Sequence, residues 1–281
     1  MDALPEFRKH GFDRKFEPLT DADLAKPGLQ SAGFVEFLER FVDGPLTGLR
    51  ILDLGCGRGD LVGLLRLRGA SAFGIEIDPR FVESGRMLNE RYPEPYPVLS
   101  TVDDKGRSVF PDGYFDLVVS DQVLEHVADL RSVTGEIARV LRPGGRTCHR
   151  FPARHRLSEP HYHMPFVHWL PKNGVRRSAM RMLLRLGYAG KFFSSYSLED
   201  RTSIIYKYSV EETFYRPISQ IEAAFRADGL EYYFRPGMHA FVEARLKRRV
   251  HPALPLPELV SEFHTAMFCA RRPPAPAAAE A

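Results

Sequence analysis

The sequence predicts an α/β fold: a mostly parallel sheet with helices on both faces, into which a mainly helical segment is inserted. Three observations carry this. Short apolar runs at 49–54, 71–78 and 115–121 alternate with stretches of helical periodicity, the pattern of strands buried on both faces between crossover helices. The first run ends in three alternate glycines, Gly55, Gly57 and Gly59, before a helix resumes. From Pro152 to about Arg216 the composition shifts to His, Arg and aromatics, and the α/β pattern then returns.

In chain order, residues 1–30 are charged and irregular. "SAGFVEFLERFVDG" then spaces Phe34, Phe37, Leu38, Phe41 and Val42 at helical intervals, closing an N-terminal segment over 1–48. "LRILDLGCGRGDLVGLL" (Leu49 to Leu65) reads as strand, glycine turn and helix. "SAFGIEID" repeats the strand and completes a βαβ unit. "FDLVVSD" is a third strand, "VLEHVADLRSVTGEIARVL" a helical region, and "RPGGRTCHRF" a turn and strand, so this core runs over 49–151. The inserted segment spans 152–216. Within it, Trp169 with Phe166, Val167 and Leu170 reads as an apolar anchor. "KNGVRRSAMRMLLRLG" reads as a helix whose apolar face is Val175, Met182, Leu183 and Leu186, with Arg176, Arg177, Arg181 and Arg185 near one another as a solvated or anion-facing side. Residues 217–272 return to the core: "ISQIEAAFRADGLEYYF" gives helix, Gly stop and strand, and "EFHTAMFCARR" a closing strand. The tail 273–281, Pro- and Ala-rich, reads as disordered. "ARLKRRVHP" (244–252) reads as solvent-facing.

Composition excludes several classes. The 281 residues are 44% hydrophobic and 27% charged, ordinary for a globular protein. A formal charge of +3 and a pI near 8.7 argue against a dedicated nucleic-acid binder. Cys56, Cys148 and Cys269 are odd in number and far apart in sequence, which argues for free thiols and against a disulfide framework or CxxC zinc site. No stretch approaches the roughly 18 apolar residues of a membrane span, and the N-terminus has no apolar signal core, so a cytoplasmic location is expected. The sequence sets no oligomeric state.

The glycines let the backbone turn tightly at the carboxyl end of the first strand and approach a ligand there. The following helix offers free N–H groups, and Glu76, at the end of the second strand, is placed to accept ribose hydroxyls. The spacing is G-x-G-x-G rather than the dinucleotide G-x-G-x-x-G, which argues against a nicotinamide cofactor.

Four ordered stretches, "ILDLGCGRGDLVGLL", "FGIEIDP", "VFPDGYFDLVVSDQVLEHV" and "RVLRPGGR", resemble the successive motifs of class I S-adenosylmethionine-dependent methyltransferases. The resemblance is close over about 48–151 and looser from Ile218 onward. It implies a Rossmann-like seven-stranded sheet with the last strand antiparallel, and S-adenosylmethionine as methyl donor. By the same resemblance Asp53 and the loop Gly55, Cys56, Gly57 and Gly59 hold the methionine end, and Glu76, with Ile77 beside it, holds the ribose. Asp103 or Asp104 takes the adenine amino group, and Ser120 to Gln122 line the methyl side.

An oxygen acceptor needs a base. His126, after the third strand named above, is one candidate. His161 and His163, from a segment that also holds His149, His155 and His168, are the others. Some O-methyltransferases and RNA-end methyltransferases join Glu-x-x-Glu-His to a later His around a divalent metal; Gln122 stands at the first Glu position here, so a metal is not favoured. The function expected is O-methylation of a sugar, polysaccharide or other small hydroxylated metabolite by in-line transfer with His-assisted deprotonation. N-methylation of a small molecule and a non-catalytic S-adenosylmethionine-binding role are the alternatives.

Overall fold

A computed structural model describes residues 16–26, 31–42, 44–190, 193–232, 242, 243, 251 and 265–275. The expectations for 1–15, for 244–250 and 252, and for the tail from 276 lie outside the described residues.

Seven strands form one sheet: β1 (Arg50–Leu54), β2 (Ser71–Glu76), β3 (Leu99–Thr101), β4 (Phe115–Asp121), β5 (Leu141–Pro152), β6 (Glu231–Tyr232) and β7 (Thr265–Arg271), in the order β3-β2-β1-β4-β5-β7-β6. β1 pairs in parallel with β2 and β4, so Asp53 sits opposite Gly74 on one side and Val119 on the other. β7 is antiparallel to both β5 and β6. The chain winds outward in opposite directions from β1 and β4, which opens a crevice beyond their carboxyl ends.

Each face of the sheet is closed by helices whose apolar residues repeat at helical spacing. On one face α2 (Ala32–Val42) and α3 (Asp60–Leu67) bury Phe34, Phe37, Leu38, Val62 and Leu65 against Ile51 and Leu117. On the other, α6 (Leu130–Val140) and α9 (Ile218–Ala227) bury Ile137, Val140 and Phe225 against Leu52, Phe73 and Val118. A short α1 (Asp21–Leu24) with a Thr20/Asp23 capping box lies within the stretch read as irregular. Two further short helices, α4 (Pro79–Ser84) and α5 (Arg86–Arg91), follow β2.

The segment after β5 carries α7 (Gly174–Arg185) and α8 (Leu198–Glu211) around an apolar cluster of its own that includes Tyr162, Met180, Leu184, Ile205 and Tyr208.

The structure corrects several expectations. The helical region after β4 is split: Leu124–His126 is one 3-10 turn, and α6 starts only where Asp129 caps it by accepting from the Arg131 N–H. β5 already includes Pro143-Gly-Gly, absorbed as a register shift against β4 with Gly144 at φ 76°. Helix α7 is rotated from the face expected of it. Arg176, Met180 and Leu184, spaced by four, point inward, while Val175, Met182 and Leu186 are exposed. The Ser209 carbonyl near the end of the neighbouring α8, with those of Leu170 and His168, gives the buried Arg176 acceptors that the sequence could not display. Trp169 is not buried in a pocket. It is 46% exposed and lies against Phe166 at a 59° tilt with ring centroids 4.9 Å apart, leaving Val167 as the buried member of that group. Finally, Cys148 and Cys269, 121 residues apart, are register partners on β5 and β7 with Sγ atoms 3.3 Å apart, both free thiols.

Candidate active site

The crevice is built from the ends of β1, β2 and β4. Gly55, Gly57 and Gly59 all adopt positive φ (71°, 54° and 88°), which only glycine takes without strain. Their reasons differ. A Cβ on Gly55 would lie 2.6 Å from Val123 Cγ2, and one on Gly59 would lie 2.8 Å from Leu88 Cδ1, so these two make room for the protein's own side chains. A Cβ on Gly57 would meet nothing within 4 Å: this is the glycine that faces open space. The loop is pinned to β2 by Gly55 and Cys56 N–H groups donating to the Ile75 carbonyl. Cys56 itself turns inward, its thiol kept protonated by burial and packed where Gly74 has no side chain.

Glu76 joins the two strand ends. One carboxylate oxygen accepts from the Gly57 N–H at 3.0 Å and the other from the Ile77 N–H at 2.7 Å. Ile77 is 82% exposed, an apolar side chain left uncovered at the mouth of the crevice. Asp53 is buried, and burial, followed by the charges of Asp121, Glu76 and Asp60, pushes its carboxyl well above the usual range. Asp121 is paired with Arg150, whose guanidinium stacks over Phe34, and Asp60 with Arg58. S-Adenosylmethionine fits this edge on two counts. Its sulfonium and ammonium charges would relieve the crowding of carboxylates around Asp53, and the open volume above Gly57 admits its backbone-like methionine end. Asp103 accepts from the N–H groups of Lys105 and Arg107 and so closes its own turn, whereas Asp104 is exposed beside it. Gln122 ends β4 at φ 60°. Ser120 faces away from the crevice. It is fully buried and bonds His149 Nδ1 at 2.8 Å on the α9 side of the sheet.

A second group of side chains adjoins the loop through Val123, the residue that fills the space above Gly55. The turn it begins, Leu124–His126, is strapped to the end of α8: the Phe214 N–H donates to the Glu125 carbonyl at 2.6 Å, and His126 Nδ1 donates to the Glu212 carbonyl at 2.6 Å. A carbonyl can only accept, so His126 Nδ1 carries a proton, and its Nε2 lies 4.0 Å from Glu125 Oε1.

His161 reaches the same place from the inserted segment, its ring edge-on to that of His126 at 4.9 Å. Its Nδ1 lies 2.6 Å from Glu159 Oε1. Glu159 is completely buried, yet it also accepts from the Tyr215 hydroxyl and from the N–H groups of His161 and Tyr162. Burial alone would raise its carboxyl; these partners outweigh it and hold Glu159 below the usual value, hence ionised. His161 therefore donates from Nδ1, and Nε2 is the ring nitrogen not engaged by Glu159. One ligand atom each from Glu125, His126 and His161 lie within 4.8 Å of one another, a spacing that a divalent cation could bridge. His163 is exposed with φ 54°. Sequence reasoning missed Glu159 and Tyr215. Glu159 is two positions before His161, a spacing that could have flagged it. Tyr215 is 54 residues beyond His161, and nothing local marks it.

Residues 52–148, about a third of the chain, match the family model described as a methyltransferase domain. Over these residues the chain is similar to methyltransferase domains. Among curated proteins it is 38% identical over 106 residues to a rice (Oryza sativa subsp. japonica) protein named as a chloroplastic tocopherol O-methyltransferase, covering 36% of this chain and 29% of that one. It is 34% identical over 119 residues to the ubiquinone biosynthesis O-methyltransferase of Xanthomonas oryzae pv. oryzae, covering 40% of this chain and 48% of that one. These matches therefore span less than half of either relative's length. Among solved structures, a Galdieria sulphuraria protein described as a sarcosine dimethylglycine methyltransferase superposes with a TM-score of 0.51 at 14% identity, covering 97% of this chain and 99% of that one, which shows a shared fold. Among the described residues no helix is long and apolar enough to cross a membrane.

Proposed function

We propose that the protein is an S-adenosylmethionine-dependent O-methyltransferase of a small hydroxylated acceptor, sugars and saccharides included, and that His161 receives the acceptor's proton. The observation that carries this reading is the buried, ionised Glu159 holding His161 by Nδ1, beside a turn that packs on the glycine loop. In the donor cleft Glu76 accepts from the ribose hydroxyls, Ile77 covers one face of the adenine, and Asp104, free of the turn that occupies Asp103, takes the adenine amino group. A donor held there would supply an electrophilic methyl carbon, to which an acceptor oxygen lying in line would bond as the carbon–sulfur pair left with sulfur as the thioether. The hydroxyl proton passes to His161 Nε2, and Glu159 stabilises the imidazolium that results. His126 lies beside it, its ring edge-on to that of His161 at 4.9 Å, as an orienting partner for the hydroxyl. The residues of 152–216 supply the acceptor wall.

The test is methyl transfer from labelled S-adenosylmethionine to a panel of hydroxylated acceptors in the presence of EDTA. Removal of a positioned base should cost about 10²–10⁴-fold in kcat, so His161→Ala should show such a loss with unchanged donor affinity. Full activity in both His161→Ala and His126→Ala would end the base assignment. Loss of wild-type activity in EDTA would replace proton transfer by imidazole with activation by a metal held at Glu125, His126 and His161.

A further inference from the structure

A pocket of about 220 Å³ is lined by Tyr215 together with His168, Lys172, Arg176, Thr213 and Arg216 among others. Three of its walls are cationic. Arg176 is 5% exposed, and its guanidinium donates only to backbone carbonyls, those of Leu170, Ser209 and His168. Lys172 Nζ donates to the carbonyls of Val210 and Thr213, each at 2.7 Å. Arg216 donates to those of Phe214 and Ala128.

Among the described residues none of the three has a carboxylate within ion-pair distance. The acidic groups that act on them from farther off are Glu159, already engaged by His161 and Tyr215, and Asp129. Three like charges gathered at one pocket, Arg176 buried, Arg216 half-buried and Lys172 exposed at its rim, repel one another, and for Arg176 the lost solvation is offset only in part by carbonyl dipoles. Their donors are not exhausted: an ammonium has three N–H groups and a guanidinium five, and Lys172 and Arg216 each use two. Burial, together with the neighbouring charges of Arg176 and Arg216, pulls the Lys172 ammonium down to about 8, which is the same repulsion seen from one member.

We propose that this pocket is an anion-binding subsite that holds the phosphate or carboxylate group of the methyl acceptor, so that the acceptor is an acidic small molecule. The volume supports a single functional group, since it falls below the roughly 300–1,000 Å³ of pockets that enclose a whole small ligand. Position supports an acceptor: Tyr215 lines the pocket and its hydroxyl donates to Glu159 at 2.6 Å, so one side chain separates the pocket from the pair that orients the base. An acceptor anchored here by its anion would extend toward His161. The link to methyl transfer rests on the function proposed above; the anion site itself does not.

The experiment is a ³¹P NMR titration of inorganic phosphate with the full chain at pH 7.5, with S-adenosylmethionine affinity measured separately by calorimetry on each protein. Wild type should bind one phosphate saturably. Lys172→Met and Arg216→Met should each weaken it at least tenfold while donor affinity, the check on folding, stays unchanged. Arg177→Met, whose guanidinium pairs with Glu199 on the outer side of α7, should bind phosphate as wild type does. Competition by acetate at comparable concentration supports a carboxylate-bearing acceptor, and its failure at a hundredfold excess supports a phosphate monoester. No saturable phosphate binding by wild type, or equal binding in both pocket variants, overturns the subsite. Absence of S-adenosylmethionine binding beside intact phosphate binding would instead sink the methyltransferase reading and leave the anion site standing.

Discussion

At the scale of single residues, the chemistry lies in which nitrogen of each imidazole is occupied. His126 and His161 both spend Nδ1 on an acceptor fixed by the fold, a backbone carbonyl in one case and a buried carboxylate in the other. Glu159→Gln keeps the size of the side chain but removes the charge that stabilises a protonated His161, so kcat should fall by about tenfold or more with KM for the donor unchanged. A parallel change in donor affinity would mean that Glu159 acts only as a structural brace. The glycines make a second residue-level distinction. Gly55→Ala collides with Val123 and should lower the urea midpoint, whereas Gly57→Val enters open space and should mainly weaken S-adenosylmethionine binding. Calorimetric titration of both variants separates these outcomes; equal loss of stability and affinity in both would refute it.

At the scale of elements, α7 shows why a periodic pattern needs its neighbours to be read. Two apolar stripes run along it, and either one satisfies helical spacing. The stripe that turns inward is the one that brings Met180 and Leu184 onto α8 and gives Arg176 the carbonyls near its end. Met180→Ala should therefore cost about 2–5 kcal/mol in a urea titration, while Met182→Ala on the exposed stripe should stay within about 0.5 kcal/mol. The reverse order would put the helix the other way round. The turn after β4 is an element-scale feature too. Held at both Glu125 and His126 by the end of α8, it makes the inserted segment part of the site's geometry rather than an appendage.

At the scale of the whole molecule, two buried histidines link stability to pH. Burial lowers His149 to about 3, and lowers His168, with smaller opposing contributions from Glu159 and backbone groups, to about 4. Both are thus neutral in the folded protein but would take up a proton in the unfolded chain near 6.5. The unfolded state binds more protons between these values, so the contribution is fully present above pH 6.5 and is lost as pH falls toward 4 and then 3. For His149 the full loss is on the order of 5 kcal/mol. Thermal melts from pH 7 to pH 4 should show this decline, and His149→Gln, which keeps a polar group between Ser120 and Thr147, should reduce its slope. An unchanged slope would contradict it.

The alternation of strands and helices, the glycine turn, and the acidic ends of β1 and β2 are legible in the sequence, because each depends on local periodicity or on backbone conformations that only glycine adopts. The α/β core and the crevice at its strand ends are legible for the same reason. Tertiary structure alone decided the rest, wherever two residues distant in the chain had to meet or a side chain had two faces to choose from. It turned Ser120 into the core with His149 and rotated α7 to bury Arg176. It also joined Glu159 to Tyr215 and gathered three cations around one pocket. Such contacts follow from how elements pack, and packing depends on the shapes of neighbours that no local pattern records.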